Sequence, residues 1–227
     1  MREALITEIT KAKGRKSLYH FTRVRNLPSI AHFDALLSSF IMNPQLAGKR
    51  RSEAKEVYYD DYCITLNAHL RIADSVIDAA ITQEHFRACL DRHVFFWPTL
   101  KDCQKMMNTY ARREPDEGFA VLAFDAYSLL LEHYSAVKLS KYDSGSSPRF
   151  PSRCSYKKSP DIFLPLKSFK SVVNNTVPAK ASEIREFLIE ERVNNVSKYL
   201  QFVYVDNSKV LPESWGGLEK PLTDLQI

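Results

Sequence analysis

The chain has 227 residues, a length typical of one compact domain with a full hydrophobic core. Hydrophobic residues make up 44% and charged residues 26%, which is usual for a globular protein, and only six residues are glycine, which excludes a fibrous chain. No apolar run approaches the roughly 20 residues of a membrane span, and the charged N-terminus has no apolar signal core, so we expect a cytoplasmic protein without membrane contacts. The four scattered cysteines form no CxxC pair, so no bound metal is expected.

The net charge of +5 is mildly basic, and much of the positive charge lies in one stretch. Residues 138–170 hold eight Lys or Arg against two Asp, with aromatic residues interleaved. Cations follow phosphates and exposed aromatic rings stack on unpaired bases, so this stretch predicts a single-stranded nucleic acid as partner. The alternative is a solvated loop whose aromatic side chains pack in the core. The candidate nucleic-acid contacts are Lys141, Arg149, Arg153, Tyr156, Lys157 and Lys158.

Hydrophobic periodicity and capping signals predict short strands mixed with helices. The expected helices cover 3–13, 25–39, 69–92, 100–113 and 127–134. The expected strands cover 17–23, one or two segments within 57–69, 93–97, 118–126, 135–140, 161–166, 183–193 and, as the final one, 199–206. Loops are expected at 40–56, 142–161 and 168–182, and Asn26 and Thr82 are the expected N-caps. Without a regular βαβ alternation, this order indicates an α+β fold, and the absence of a linker predicts a single domain over 1–227.

One segment at the start of the chain is the most specific motif. In LYHFTRVRNLPSI (18–30), a strand ending in His-x-Thr precedes a helix that opens with Asn-Leu-Pro-Ser-Ile. This block resembles the start of DarT-like ADP-ribosyltransferases. The later blocks HVFFWPTLKDC (93–103), VKLSKYDSGSSPRFP with DIFLPL (137–166) and IREFLIEERVNNVSKYLQFVYV (184–205) resemble, in the expected order, an uncharacterised bacterial family with the same opening.

The resemblance implies an ADP-ribosyltransferase-like split β-sandwich with flanking helices. It implies NAD as the substrate that donates ADP-ribose and a base of single-stranded DNA as the acceptor, although related toxins modify RNA. It further implies a toxin of a toxin–antitoxin or anti-phage system, with an antitoxin protein as partner. The chain departs from the DarT pattern at Arg185, where alanine is typical, and from the related family at Asp143, where Asn precedes Ser-Gly. Both differences leave the acceptor open.

A carboxylate is the group that this reaction needs most. ADP-ribosyl transfer breaks the bond between nicotinamide and ribose through a transition state that resembles an oxocarbenium ion. A carboxylate beside the ribose binds the 2′-hydroxyl, stabilises the positive charge and can activate the acceptor as a general base. The resemblance assigns this role to Glu186. From the residues alone, the alternative is an exposed position on a charged strand, because three further Glu are close by.

A histidine on the first core strand binds a ribose in enzymes of this type, and His20 matches that position. Thr22 follows on the same face, because strand side chains alternate with period two. The alternative for His20 is a half-buried histidine packed among aromatic residues. Asn26 either binds NAD or caps the following helix, and capping is favoured.

The run Lys49-Arg50-Arg51 carries planar guanidinium groups, which bind phosphate bidentately. It is suited to the pyrophosphate of NAD or to nucleic acid. The resemblance implies an arginine from this segment, and we take Arg51 as the catalytic arginine and Arg50 as a candidate NAD contact. The alternative is a solvated basic loop.

Aromatic residues end the strand at 93–97, and related enzymes use aromatics here to sandwich nicotinamide. Phe96, Trp97 and Tyr110 are therefore candidate NAD contacts. Alternation along the strand puts Phe95 and Trp97 on one face and Phe96 on the other. Because such clusters commonly pack in the core, we expect one of these three strand residues to touch the ligand.

Some functions can be set aside and others remain open. The sequence has no GxxxxGK[ST] loop and no GxGxxG fingerprint, which excludes the Rossmann mode of NAD binding but not a transferase that cleaves NAD. Ser144-Gly145-Ser146 indicates a turn and nothing more. The leading hypothesis is a transferase that modifies nucleic acid, with 168–185 as its acceptor-recognition loop. A protein-directed transferase and a non-catalytic nucleic-acid-binding module on the same scaffold are the alternatives, and the presence of His20 and Glu186 speaks against the second.

Overall fold

The computed structural model describes residues 2–225. The α-helices are α1 (Arg2–Thr10), α2 (Leu27–Phe33), α3 (Ser39–Met42), α4 (Gln83–Asp91), α5 (Leu100–Ala111), α6 (Ala126–Glu132) and α7 (Val196–Tyr199). The strands are β1 (Ser17–Arg23), β2 (Ala35–Leu37), β3 (Lys55–Tyr59), β4 (Tyr62–Leu66), β5 (His93–Phe96), β6 (Phe119–Asp125), β7 (Val137–Ser140), β8 (Phe163–Pro165), β9 (Glu186–Glu190), β10 (Arg192–Asn194), β11 (Leu200–Val205) and β12 (Glu219–Pro221). Helices and largely antiparallel sheets alternate irregularly, which confirms the α+β class.

Two compact units divide the chain, and each is built from separate stretches. Within the described residues, unit 1 contains 2–36, 95–134 and 193–225, and unit 2 contains 37–94 and 135–192. The chain therefore passes from one unit to the other four times. That 1–227 forms a single domain stays a prediction.

Unit 1 is built on a four-stranded sheet in the order β1-β6-β11-β12. Strand β6 pairs antiparallel with β1 on one side and with β11 on the other, and β12 adds in parallel to β11. The apolar run FAVLAF explains the central position of β6, because every one of these residues is buried and such a strand is stable only when it is covered on both faces. Helix α5 packs on β1, and α1 packs on α6.

Unit 2 contains a second four-stranded sheet in the order β5-β9-β7-β8, of which β5 runs across the unit boundary. Strand β7 pairs antiparallel with both β8 and β9. A separate hairpin of β3 and β4 turns at Asp60, whose φ of 48° lies in the left-handed region. Its inward residues Val57, Ile64 and Leu66 form a small core of their own.

The structure confirms the strand at 17–23 to the residue and shortens all five predicted helices, two of them by more than half. The predicted helix 25–39 ends at Phe33, because Asp34 has a φ of 47° and the chain then continues as β2. The predicted helix 69–92 is wrong over its first half and begins only at Gln83. Its predicted cap is confirmed, since the Thr82 hydroxyl accepts the His85 N–H at 3.0 Å.

Three other segments differ from the prediction. The predicted loop 40–56 includes most of α3 and the start of β3, and the predicted strand 183–193 is divided at Glu191, which has a φ of 63°. The strand over 199–206 is not the last one described, because the short polar strand β12 follows it. No helix in residues 2–225 combines the length and the hydropathy needed to cross a membrane.

Candidate active site

Glu186 is the first residue of β9 and lies in the interior of unit 2. The antiparallel register sets Glu186 opposite Ser140 of β7, and the Arg185 N–H donates to the Ser140 carbonyl oxygen at 2.8 Å. Only 1% of Glu186 is exposed. The alternative of an exposed position on a charged strand is therefore wrong. Glu186 has no salt bridge within residues 2–225, and a buried carboxylate in that situation needs an explanation, which its immediate partners provide.

Ser144 holds one oxygen of this carboxylate. Both the Ser144 N–H, at 3.0 Å, and its hydroxyl, at 2.5 Å, donate to Glu186 Oε2. No group within residues 2–225 donates a hydrogen bond to Oε1. The carboxylate is thus fixed through one oxygen, while the other keeps its acceptor capacity for a ligand hydroxyl.

A buried lysine supports the loop that carries Ser144. The Lys158 ammonium group is fully buried and donates to the carbonyl oxygens of Asp143 (2.6 Å), Ser144 (2.8 Å) and Ser146 (2.6 Å). Its backbone is tied down as well, since the Lys158 N–H donates to the Val76 carbonyl oxygen at 2.6 Å. Three carbonyls turned towards one ammonium group define the shape of this loop.

Burial sets the protonation of both groups. Burial raises the pKa of Glu186 to about 7, against the opposing effect of the Ser144 donors and the Lys158 charge. Burial likewise lowers the pKa of Lys158 to about 8, against the attraction of Glu186 and Asp143. A carboxylate that exchanges its proton near neutral pH is suited to work as a general base.

Arg51 belongs to a different buried cluster of unit 2, centred on Asp91. The Asp91 carboxylate accepts from Arg51 Nη2 at 2.7 Å, from His69 Nε2 at 2.9 Å and from the Gly48 N–H at 2.9 Å. Burial alone would raise the pKa of Asp91, but the hydrogen bonds from His69 and Arg51 outweigh it and lower this pKa to about 2.

The guanidinium group of Arg51 is held firmly but is not saturated. Its Nε donates to the Asn67 carbonyl oxygen at 3.2 Å, whereas its buried Nη1 has no hydrogen-bond partner within the described chain. Arg51 is therefore not part of a solvated loop. An oriented N–H without an acceptor is available to an anionic ligand.

His20 lies on β1 in unit 1, next to the end of β5. Its Nδ1 is 2.8 Å from the Phe95 carbonyl oxygen, and since a carbonyl can only accept, Nδ1 carries the proton. Burial lowers the pKa of His20 to about 4, so the ring is neutral at physiological pH and Nε2 is an acceptor. No residue within 2–225 donates to Nε2. The geometry fits a ring that accepts a ligand hydroxyl.

The aromatic candidates of unit 1 lie mainly in its core. Phe96 is fully buried against His20 and Phe124, and Trp97 is buried against Phe21. Phe95 is half-buried, so it is the member of the strand end that retains accessible surface. Thr22, Asn26 and Tyr110 are buried as well. The Asn26 side chain forms no cap hydrogen bond, although Asn26 stands at the N-cap position of α2.

The basic stretch of unit 2 is divided between surface and interior. Arg149, Arg153 and Lys157 are exposed, whereas Lys158 is buried and cannot present its charge to a strand. Lys141 is half-buried and lies 3.7 Å from a Glu183 oxygen. Tyr156 is half-buried and stacks on Tyr142 with ring centroids 3.6 Å apart. Phe150 extends into solvent with 59% exposed. An exposed group of cations with one exposed ring is thus present, but it is smaller than the sequence suggested.

The partners that shape these groups were not predicted from the sequence: Ser144, Lys158 as a loop support, His69 and Asp91. The Asp-Ser-Gly motif at 143–145 was visible, yet only as a turn signal. Nothing in the local sequence pairs it with a carboxylate 42 residues later. Among residues 2–225, no cluster of three or more His, Cys, Asp or Glu side chains has the geometry to hold a metal ion.

The sequence matches a family described as "Family of unknown function (DUF7002)" over residues 16–200. The chain belongs to this family. No curated protein shows significant sequence similarity to this DUF7002 member.

The structural comparison finds the proteins that the opening sequence block resembles. DarT of Thermus sp. 2.9 in complex with carba-NAD+ is 14% identical over 88% of this chain and 86% of that chain, with a TM-score of 0.41. Its complex with NAD+ gives 14% identity over 86% and 84%, with a TM-score of 0.38. Its complex with ADP-ribosylated ssDNA gives 13% identity over 86% and 84%, with a TM-score of 0.39. The likeness is partial at these TM-scores, so the function of the DUF7002 chain has to be inferred from its own residues.

Proposed function

We propose that this DUF7002 protein is an NAD-dependent mono-ADP-ribosyltransferase that modifies a base of single-stranded nucleic acid. The observation that carries the proposal is the buried Glu186 carboxylate, held by Ser144 through Oε2 and open at Oε1. Leaving a desolvated carboxylate without a salt bridge destabilises a fold, and such an arrangement is typical of a catalytic acid or base.

The proposed chemistry uses the open oxygen twice. Glu186 Oε1 accepts the ribose 2′-hydroxyl and stabilises the positive charge that develops as the bond to nicotinamide breaks. The acceptor base then attacks the ribose carbon, its proton passes to the Glu186 carboxylate, and nicotinamide leaves with the electron pair of the broken bond. A pKa near 7 allows the same group to be ionised before the transfer and protonated after it.

Two further side chains have hydrogen-bonding capacity that suits NAD. His20 offers Nε2 as an acceptor for a ribose hydroxyl, since its Nδ1–H is bonded to the Phe95 carbonyl. Arg51 offers the buried Nη1 donor to a phosphate oxygen of NAD. Phe95, with accessible surface, is a better candidate for contact with nicotinamide than Phe96 or Trp97.

Labelling with radioactive NAD tests the proposal. The purified protein is incubated with NAD labelled in its adenylate phosphate and with separate pools of single-stranded DNA, RNA and total protein. We expect label on a nucleic-acid pool, lost in Glu186→Gln. The matched control is Glu190→Gln, which makes the same chemical change on the same strand at a partly exposed residue paired with Lys138 at 3.2 Å, and it should transfer normally.

The other outcomes separate the alternatives. Label that survives treatment with nuclease but not with protease would show that the acceptor is a protein and not a nucleic acid. No label in any pool, together with no release of nicotinamide, would refute the transferase and leave a nucleic-acid-binding module.

A cellular role follows from the sequence resemblance to DarT-like toxins. We propose a cytoplasmic toxin that is neutralised by an antitoxin protein. Induced expression in a bacterial host should arrest growth, and the Glu186→Gln variant should be tolerated at equal protein level. Normal growth with the active wild-type enzyme would overturn the toxin role without affecting the reaction.

A further inference from the structure

A cavity of about 230 Å³ opens on unit 2, and neither Glu186 nor Ser144 lines it. Its polar lining consists of Arg50, Arg71 and Arg87 together with Asp74 and Gln83. Three guanidinium groups against one carboxylate give this small cavity a net positive charge. The composition of the cavity therefore favours an anionic ligand.

Two of the arginines are oriented by backbone carbonyl oxygens. Arg50 Nη1 donates to the carbonyl oxygens of His69 at 2.6 Å and Leu70 at 3.1 Å. Arg87 Nε donates to the carbonyl oxygen of Gly48 at 2.7 Å. A backbone carbonyl fixes the direction of a guanidinium group without adding a negative charge of its own, which suits a preformed anion site.

The acidic group of the cavity offsets only one of its three positive charges. Asp74 Oδ1 accepts from Gln83 Nε2 at 2.9 Å, so it is engaged by a neutral amide. Neither Arg71 nor Arg87 forms an ion pair with any carboxylate of residues 2–225. Arg71 is exposed, and its guanidinium group is accessible to a ligand from solvent.

The cavity is linked to the loop that positions Glu186. The Ser147 N–H donates to the Arg71 carbonyl oxygen at 3.2 Å, and the Ser147 hydroxyl accepts from the Ala73 N–H at 2.8 Å. On the same segment, exposed Lys157 donates to the Ser75 carbonyl oxygen at 2.6 Å. The cavity and the basic loop of unit 2 thus share one segment, 71–75.

We infer that this arginine cavity binds a backbone phosphate of the single-stranded nucleic acid that the enzyme modifies. The inference rests on the proposed function for the identity of the strand. A guanidinium fork matches two oxygens of a phosphodiester, and the neighbouring cation Lys157 fits an extended polyanion better than a compact nucleotide. The bound phosphate sets the register of the strand relative to the loop at 144–147.

Fluorescence anisotropy with a fluorescein-labelled single-stranded DNA 15-mer, and with the matched RNA, tests the site without NAD. Arg71→Gln should weaken binding about tenfold, which corresponds to one charge-assisted contact. The slope of log affinity against log salt should become shallower by about 0.7, the value for one phosphate contact on a single strand. Arg112→Gln removes the same charge from an exposed position of unit 1 and should bind as wild type does.

Arg87→Gln is a second variant, and thermal melting confirms that each variant is folded. If folded Arg71→Gln and Arg87→Gln bind the oligonucleotide with unchanged affinity and an unchanged salt slope, the proposed phosphate site is wrong. A raised KM for NAD with unchanged oligonucleotide binding would show that the cavity binds a phosphate of NAD. That result would overturn the assignment of the cavity to the nucleic-acid strand. Failure of the proposed function is distinguishable, because the wild type would then bind the 15-mer through this cavity and transfer no label to it.

Discussion

Replacing Glu186 by glutamine keeps the size of the side chain and its acceptor for the Ser144 N–H while removing the charge. The pKa of Glu186 is raised by burial from 4.5 to about 7. One pKa unit corresponds to about 1.4 kcal/mol, so keeping Glu186 ionised above pH 7 lowers the free energy of unfolding by about 3 kcal/mol. We therefore expect Glu186→Gln to be inactive and more stable than the wild type.

The stability difference between Glu186→Gln and the wild type should depend on pH. Because the pKa is higher in the folded protein than in the unfolded chain, the favourable contribution of protonated Glu186 is fully present below pH 4.5. It is lost as the pH rises through about 7. The stability advantage of Glu186→Gln should therefore be absent at pH 4.5 and reach about 3 kcal/mol at pH 8. In a chain of this size that is a Tm higher by about 6 to 12 °C.

Thermal and urea unfolding of wild type, Glu186→Gln and Glu190→Gln at pH 4.5, 6 and 8 measure the difference. Equal stability of wild type and Glu186→Gln at pH 8 would refute the desolvated carboxylate on which the mechanism depends. The transfer rate gives an independent check, since kcat/KM should rise with pH through about 7 as Glu186 ionises. The neutral His20, with its pKa of about 4, cannot produce that rise.

Four other substitutions have defined outcomes. Ser144→Ala removes the donor at 2.5 Å and so raises the pKa of Glu186, which should move the rise of kcat/KM in a pH–rate profile above pH 7. Lys158→Met leaves three inward carbonyls without their donor, so urea unfolding should show a loss of about 3 kcal/mol or more, and a wild-type midpoint would contradict this. Gly48→Ala should lower stability by about 2 kcal/mol, because φ is +74° and the added Cβ would lie 2.7 Å from a backbone carbonyl of α4, and an unchanged Tm would disprove it. Asp91→Asn should lower the free energy of unfolding by about 3 kcal/mol at pH 7, because it leaves the buried Arg51 without its ion-pair partner. An unchanged free energy of unfolding in chemical denaturation would exclude the ion pair.

Local signals in the sequence predicted many of the strands and helices. The aromatic residues of 17–23 identified β1 to the residue, and Thr82 was correctly expected to cap a helix, although the helix had been predicted to begin at 69. The left-handed residue Asp34 had no such signal, because aspartate reaches a positive φ only where the following chain has to turn. The predicted helix was therefore extended into β2.

The candidate site depended on contacts that no local pattern contains. Ser144 meets Glu186 only because β7 and β9 are paired, and this pairing brings together residues 42 positions apart. Lys158 was expected at the surface, where lysine almost always lies. Its burial depends on three carbonyls of a loop that turn towards one ammonium group, which cannot be read from the composition of that loop. The role of His20, by contrast, is implied by the resemblance of its strand to DarT-like enzymes and stays a prediction.

The four passages of the chain between the two units have a consequence for synthesis on the ribosome. Strand β6 is buried in the middle of its sheet, yet β11, which covers one of its edges, begins 75 residues after β6 ends at Asp125. During that interval the nascent chain presents an apolar strand with one unpaired edge, which is a template for aggregation. Unit 2 is complete once residue 192 has emerged, whereas unit 1 has to wait for β11 and β12. A ribosome stalled between these points would carry a chain that is prone to aggregate and in need of a chaperone.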